Sequence, residues 1–351
     1  MRISNNQQQN TNFKSLMTNK AVLKGLEVIS EHSASFIAGT SLAMAAGVRP
    51  LAIALTPNTD KENKKYMIAN SITSGLVKFA MVEAVALPIE NAIKKINKKP
   101  DDFFTKNTIK NLKAGADNLV NSKDYGFATQ LLKLGSSFFT AIPKSALSVA
   151  LIPITMDLLF AKKHKQKNNE LSPYNNYNAI FSDYFDKQNE KTPSFKGKIT
   201  DIASKGISKI LNNDSFQNVV KKHVSKSEDV ARNITIATDL LLSASFAHRT
   251  AQNKDIEEKR KKPLIYNNLI STGLSVTGGY AIDKLVKKNT QNFIQKFSEA
   301  NKNNPNLPKY IEGINIVRPT LIFAAIYYGI MPIVSAYTAD KLSKISERKE
   351  N

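Results

Sequence analysis

Six ionisable side chains interrupt long apolar stretches of this chain: Arg49, Lys78, Glu83, Lys144, Asp157 and Asp239. In a membrane protein such groups usually face the bundle interior or water, and they often mark a pathway for ions or solutes. In a soluble amphipathic helix the same groups would simply lie on the solvated face. A pairing of Arg49 with Glu83 across a helical hairpin would join residues at different depths, so the sequence indicates it only weakly.

Two asparagines occupy matching positions in similar segments, KKYMIANSITSGL at 64–76 and KPLIYNNLISTGL at 262–274. The segments predict an internal repeat through the identities Lys64/Lys262, Asn70/Asn268, Ile72/Ile270, Gly75/Gly273 and Leu76/Leu274. An amide inside a bundle can bridge two helices, although each Asn could instead lie at an interface near a helix start. The predicted intramembrane polar or ionisable groups are therefore Arg49, Asn70, Glu83, Asp157, Asp239 and Asn268.

The sequence offers no positive support for catalysis. It contains no cysteine, which excludes disulfides, cysteine zinc sites and cysteine nucleophiles. No phosphate-binding glycine loop, HExxH motif or GxSxG elbow occurs, and the four histidines lack metal-ligand spacing. We therefore expect a protein that is not an enzyme and has no cofactor, no metal and no catalytic residue.

The fold class follows from six apolar stretches, at 34–55, 66–93, 134–161, 234–248, 264–282 and 319–339. A bilayer core about 30 Å thick needs about 20 apolar residues in a helix. Two stretches, 34–55 and 319–339, reach that length, and 264–282 nearly reaches it. Two more, 66–93 and 134–161, reach it only by including ionisable groups. The stretch 234–248 is too short by several residues. This pattern predicts an all-α bundle with several transmembrane helices. A soluble bundle whose central helices are buried on all sides is the alternative.

The predicted domain organisation is a polar leader at 1–33, a first helical half at 34–162, a basic linker at 163–230 and a second helical half at 231–351. The linker contains a basic amphipathic helix, with apolar residues Ile199, Ile202, Ala203, Ile207, Ile210 and Leu211 at helical spacing. Such a helix could lie on an anionic membrane surface. Packing against the protein's own bundle explains the same pattern.

Small residues recur at every fourth position in two stretches, as Ser35, Gly39, Ala43 and Gly47 and as Ser271, Ser275 and Gly279. Ala325 and Gly329 form a shorter pair of the same kind. Faces of this type let helix backbones approach closely in membranes. They predict tight helix packing, and they make a homo-oligomer a candidate assembly.

The charge balance is strongly basic, with 50 Lys and Arg residues against 29 Asp and Glu residues and a formal net charge of +21. The basic residues are spread over every connector without a nucleic-acid-binding motif, so we expect anionic lipid headgroups rather than nucleic acid as the partner. If all six stretches span, short connectors and ends place 23 basic residues on one side against 10 on the other. The positive-inside rule then predicts both termini in the cytoplasm.

The segments GTSLAMAAGVRPLAIALTPNTDKENKKY at 39–66 and NNLISTGLSVTGGYAIDKL at 267–285 resemble a family of uncharacterised, repeat-containing helical proteins from bacteria. The resemblance covers both halves but not the linker. It implies a bacterial, membrane-associated helical protein and no activity. Together with the apolar stretches and the basic connectors, we expect a location in the bacterial cytoplasmic membrane.

Overall fold

The computed structural model describes residues 17–160 and 192–350, and within them the chain is all-α, as predicted, with no strand. The helices are α1 Lys20–Glu31, α2 Ser33–Ala43, α3 Arg49–Ala54, α4 Lys61–Lys98, α5 Lys106–Lys113, α6 Lys123–Phe139, α7 Ala141–Phe160, α8 Thr192–Leu211, α9 Asp214–His223, α10 Val230–Gln252, α11 Glu258–Ala300, α12 Leu307–Ala324 and α13 Met331–Glu350. Two π-helical segments, Met44–Val48 and Ala325–Ile330, join α2 to α3 and α12 to α13. Short 3-10 turns occupy Pro100–Asp102 and Val224–Asp229.

Four helical segments are long and apolar enough to cross a membrane: Ser33–Ala54, Lys61–Lys98, Lys123–Phe160 and Leu307–Leu342. The shortest has 22 residues, which at 1.5 Å per residue is about 33 Å and matches a bilayer core of about 30 Å. The apolar stretches at 66–93 and 134–161 therefore lie in membrane-length helices despite their charges. The stretches 234–248 and 264–282 lie in α10 and α11, which are not among these four segments.

Six long helical segments form a closed ring in chain order. α2 and α3 pack against α4, α4 against α7, α7 against α10, α10 against α11, α11 against α13, and α13 against α3. We call this arrangement the ring. Its closure places the inward faces of all six segments around one central space.

The contacts fix the direction of each ring segment. Ala34 at the start of α2 lies beside Glu90 near the end of α4, whereas the Ala54 carbonyl accepts a hydrogen bond from Lys64 at the start of α4. The ring end that holds Ala34 is called end A, and the end that holds Ala54 is called end B. Phe160 lies at end B because Lys65 is 6.0 Å from the centre of its ring.

The two halves of the ring run parallel rather than inverted. Ala231 of α10 packs near Ile37 and Leu134 toward end A, and Phe246 of the same helix packs with Ile53 and Ile152 toward end B. The first segments of both halves, α2–α3 and α10, therefore both run from end A to end B. In each half a long middle helix packs between two such segments.

The helix directions bear on the placement of both termini in the cytoplasm, which stays a prediction. Helix α1 lies at end A, where Glu31 pairs with Lys309 at the start of α12. Asp340 of α13 lies at end B, where it accepts a hydrogen bond from Asn63. A ring that crossed a membrane along its axis would put these two regions on opposite sides.

The predicted internal repeat stays a prediction. Both halves share an order of helix pairings, but the π-helical segment lies in the first ring segment of one half and in the last of the other. The equivalent asparagines also differ in their bonds, as described below. The shared order alone does not show that the halves are related.

The predicted amphipathic helix of the linker is present as α8. It packs against the end-A portion of α4, where Lys95 and Asp201 form an ion pair with a 2.5 Å separation. Leu211 and Ile207 are buried in a core with Ile96. Ile202, in contrast, is 72% exposed. One face of α8 therefore covers the protein's own bundle, and contact of the other face with a membrane surface stays a prediction.

Part of the predicted polar leader is ordered helix. Asn19 caps α1 by accepting a hydrogen bond from the backbone N–H of Ala21. Leu23 and Leu26 then pack on a core that contains Phe297 and Tyr310. The prediction of a polar leader is therefore wrong for residues 20–31, and the residues before 17 lie outside the described ranges.

Of the two small-residue faces, the second is occupied within the chain. Ser271 donates a hydrogen bond to Ser335 at 2.7 Å, and a Cβ added at Gly279 would lie 2.6 Å from the ring of Phe323. On the first face Ala43 and Gly47 are exposed. A homo-oligomer through small residues, which stays a prediction, would therefore use the first face or the pair Ala325 and Gly329.

The N-terminus of α2 is capped by a carboxylate from another helix. Glu90 of α4 is buried, and its side chain accepts hydrogen bonds from the Ala34 backbone N–H at 2.9 Å and from the Ser35 hydroxyl at 3.0 Å. His32 Nδ1 lies 3.1 Å from the same carboxylate. The negative charge also complements the positive end of the helix dipole. Glu90 therefore holds α2 against α4 at end A.

Replacement of Glu90 by Gln should lower the stability of the purified protein by about 1–3 kcal/mol, because the buried cap loses its charge and one of its acceptors. Thermal melting in mild detergent measures the effect. The control is Glu62→Gln on the same helix, since Glu62 forms only an exposed pair with Lys65 and should change stability by less than about 0.5 kcal/mol. Equal melting temperatures for the two variants would contradict the capping role.

Candidate functional site

A central cavity of about 90 Å³ lies inside the ring. Five of the six ring segments line it, all except α13, together with α12 and the two π-helical segments. Its charged lining residues, among those described, are Arg49, Lys78, Lys144 and Asp239. Each of these interrupts an apolar stretch of the sequence, and the ring brings them to one space.

Hydroxyl groups make up much of the remaining cavity wall. They come from α2, α4, α7, α10, α11 and the second π-helical segment, and they include Ser41, Ser71, Ser148, Thr235, Thr272 and Tyr327. Phe246, Phe323 and Leu242 add apolar surface. The cavity wall thus combines a few charges with many neutral hydrogen-bonding groups and some apolar surface.

Arg49 is held rigidly at the cavity wall. It is 3% exposed, and its Nη2 donates hydrogen bonds to Asn267 and Ser271, each at 3.2 Å. The guanidinium also lies over the ring of Tyr327, 4.4 Å from the ring centre. The weakly indicated pairing of Arg49 with Glu83 is not formed. These contacts join α3, α11 and the second π-helical segment.

The two predicted asparagines line the cavity, and one of them bridges two helices through a side-chain hydrogen bond. Asn268 of α11 accepts a hydrogen bond from Ser243 of α10 at 2.5 Å. Asn70 accepts one from Ser74 at 2.9 Å, within its own helix α4. The bridging interpretation therefore holds for Asn268.

Glu83 and Asp157 do not line the cavity. Glu83 is half-buried on α4, and Asp157 is exposed on α7 toward end B. Sequence reasoning selected them because each interrupts an apolar run, but an interruption alone does not tell which face a residue occupies. The structure gives them no part in the central cavity.

Lys78 and Lys144, which interrupt apolar stretches but are absent from the predicted set of intramembrane groups, do line the cavity. Lys144 is almost fully buried, and its ammonium group donates a hydrogen bond to the Ser137 carbonyl at 3.1 Å. Both lysines stood among the interrupting charges, so the signal was present. The hydroxyl lining had no sequence signal, because serine and threonine are common in all six stretches.

Two π-helical segments, one at Met44–Val48 and one at Ala325–Ile330, touch each other and supply Ala45, Tyr327 and Tyr328 to the cavity. Single π turns inside α-helices frequently occur at functional sites. Here each turn shifts the register of a ring segment beside the cavity. Nothing in the sequence predicted either turn.

The outer surface of the ring is apolar. Ring segments and the adjoining helices α6 and α12 contribute large exposed apolar side chains, and we call this surface the apolar belt: Leu51, Leu76, Phe139, Leu240, Leu274 and Leu321. Phe139 is 81% exposed. Exposed apolar surface of this extent marks contact with a membrane or with another protein.

Ion pairs and polar bonds lie at both ends of the ring, buried at end A and exposed at end B. At end A, Asp283 of α11 binds Arg232 at 2.9 Å and Arg318 at 2.8 Å. At end B, Asp60 accepts hydrogen bonds from the Asn63 backbone N–H and from Arg260, which hold its pKa below the usual range. The charged groups are therefore concentrated at the two ends and in the cavity between them.

The fold and the site define an all-helical protein with four membrane-length apolar helices and a polar interior. Comparison with protein-family models, with curated proteins and with solved structures finds no match. The bacterial repeat family that the sequence resembles therefore gains no support from these comparisons. The four apolar helices point to a membrane location.

Proposed function

We propose that the protein is an integral membrane protein whose central cavity is a solute site. The main support for this proposal is the placement of side chains in the ring, where charged groups are buried and large apolar groups are exposed. Arg49, Lys144 and Asp283 are turned inward, whereas the apolar belt is turned outward. In lipid, polar side chains find partners only inside the bundle, and apolar side chains face the acyl chains.

Basic side chains lie at both ends of the ring, as expected if the apolar core of a bilayer lies between the two ends. Lys95 and Lys309 lie at end A, and Lys64 and Arg260 lie at end B. Basic groups at these levels suit anionic headgroups. The cavity lies between the two ends, near the level of the bilayer midplane, where transporters bind their solutes. We assign it binding and passage of a solute, with no catalysis, in a bacterial cytoplasmic membrane.

A second candidate is a peripheral helical scaffold whose apolar belt is covered by partner proteins. The directions of the helices favour it. The chain leaves the ring at end B after Phe160 and returns at end A with α8. Between them stand KKHKQKNNE at 162–170 and DYFDKQNEK at 183–191. If all six ring helices crossed a bilayer, the connection from end B to end A would have to join its two sides. The charged residues of that connection would then pass through the apolar core, which costs a large free energy.

Membrane fractionation separates the two candidates. For an integral protein, we expect retention in the membrane after washing with high salt and with alkaline carbonate, and release only by detergent. Recovery of the chain in the carbonate supernatant would overturn integration and support the scaffold.

The absence of cysteine permits a direct test of orientation. Single-cysteine variants Lys20→Cys at end A and Lys341→Cys at end B can be labelled in intact cells with a membrane-impermeant maleimide. A ring with its axis across the membrane should label at only one of the two positions. Labelling at neither position before lysis, and at both after it, would place both ends in the cytoplasm and contradict that orientation.

A further inference from the structure

We infer that the central cavity binds a small organic carboxylate. The inference rests on the proposed solute site and names the chemical class of the solute. Its first support is the charge of the wall. Among the described lining residues, Arg49, Lys78 and Lys144 are cationic and Asp239 is the single carboxylate. A cavity with surplus cationic groups and apolar surroundings attracts and concentrates an anion.

The second support is a pair of buried donors without acceptors. Arg49 is 3% exposed, yet its Nε has no hydrogen-bond partner. The Ser275 hydroxyl also lines the cavity, and it is likewise buried without a partner. Buried polar groups in native proteins are normally satisfied. A carboxylate oxygen can accept from both a guanidinium N–H and a hydroxyl.

The size and walls of the cavity narrow the class. A volume of about 90 Å³ is several times the roughly 10–15 Å³ that holds one water molecule. It suits a small solute such as a monocarboxylate of two to four carbons and is too small for a large ligand. The wall also presents Phe246 and Phe323, which an inorganic ion would leave unused and a short alkyl chain would contact.

Isothermal titration calorimetry of the purified full-length protein tests this inference. Sodium acetate and sodium lactate are titrated at constant ionic strength against sodium chloride and sodium phosphate, with glycerol as a neutral probe. We expect saturable binding of a carboxylate and at least tenfold weaker binding of the other probes. Equal binding of chloride or phosphate, or no carboxylate binding, would overturn the inference.

Two variants should move the affinity in opposite directions. Lys78→Gln removes a cationic group and should weaken carboxylate binding at least tenfold, whereas Asp239→Asn removes the opposing charge and should strengthen it severalfold. Lys341→Gln, exposed at end B, should leave the affinity unchanged. If Lys78→Gln does not fold, Asp239→Asn decides alone, and unchanged or weaker binding by that variant contradicts the inference.

The outcome of the calorimetry does not depend on whether the proposed membrane location is correct. A protein extracted by carbonate could still bind a carboxylate, and a protein retained in the membrane could fail to bind one. The fractionation therefore decides the location, and the calorimetry decides the ligand class.

Discussion

Replacement of Asp283 by Asn is expected to destabilise the protein by about 3–5 kcal/mol, the largest effect of any single substitution proposed for this chain. Asp283 is fully buried on α11 and binds Arg232 of α10 and Arg318 of α12. When Asp283 loses its negative charge, two buried guanidinium groups lose their shared partner. In the described part of the chain, Asp229 then supplies the remaining carboxylate, 3.2 Å from Arg232 and 3.9 Å from Arg318.

Thermal melting and denaturant titration in mild detergent measure this effect. Asp255→Asn is the matched control, because Asp255 is exposed and its substitution should change stability by less than about 0.5 kcal/mol. The double variant Asp283→Asn with Arg318→Gln should recover part of the loss, since one of the unpaired charges is removed. A loss below about 1 kcal/mol for Asp283→Asn would show that the ion pairs do not hold the three helices together.

Replacement of Gly313 by Ala is expected to destabilise the contact between α1 and α12 by about 1–3 kcal/mol. A Cβ at this position would lie 2.5 Å from the Leu26 carbonyl oxygen and 3.1 Å from the Leu26 Cα. These are backbone atoms, so the clash cannot be relieved by a rotamer change. Either α1 moves away from α12, or the core around Phe297 and Tyr310 opens.

The control for Gly313 is Gly206→Ala in α8. Gly206 is exposed, and an added Cβ would meet nothing within 4 Å. Alanine is a better helix former than glycine by about 1 kcal/mol, so this substitution should raise the stability. Changes in stability of opposite sign for the two substitutions would confirm that the close backbone approach, and not helix propensity, determines the effect of alanine at position 313. A stabilising Gly313→Ala would contradict the packing described at end A.

The secondary structure could be predicted from sequence where apolar residues recur at helical spacing. The long apolar stretches became the ring segments, and the isoleucines of the linker became one face of α8. Capping residues and apolar periodicity are local signals, and a single sequence carries them in full. The π-helical segments could not be predicted, because their extra backbone turn depends on what each helix packs against.

The cavity could be predicted only in part. Arg49 and Asn268 were singled out because polar groups inside apolar stretches need partners, and both have partners across helices. Glu83 and Asp157 were singled out for the same reason, but they lie away from the cavity. Which face of a helix turns inward depends on its neighbours, and a single helix does not determine them when it is apolar on most sides.

The sequence by itself determined the helical class, the membrane-length apolar segments and the absence of cysteine chemistry, since each follows from residue types and their spacing. Only the tertiary structure decided that the two halves run parallel, that the ring closes, and that Lys78, Lys144 and Asp239 meet in one cavity. The physical reason is the range of the interactions. Helix formation depends on residues within one or two turns, whereas ring closure depends on packing between side chains hundreds of residues apart.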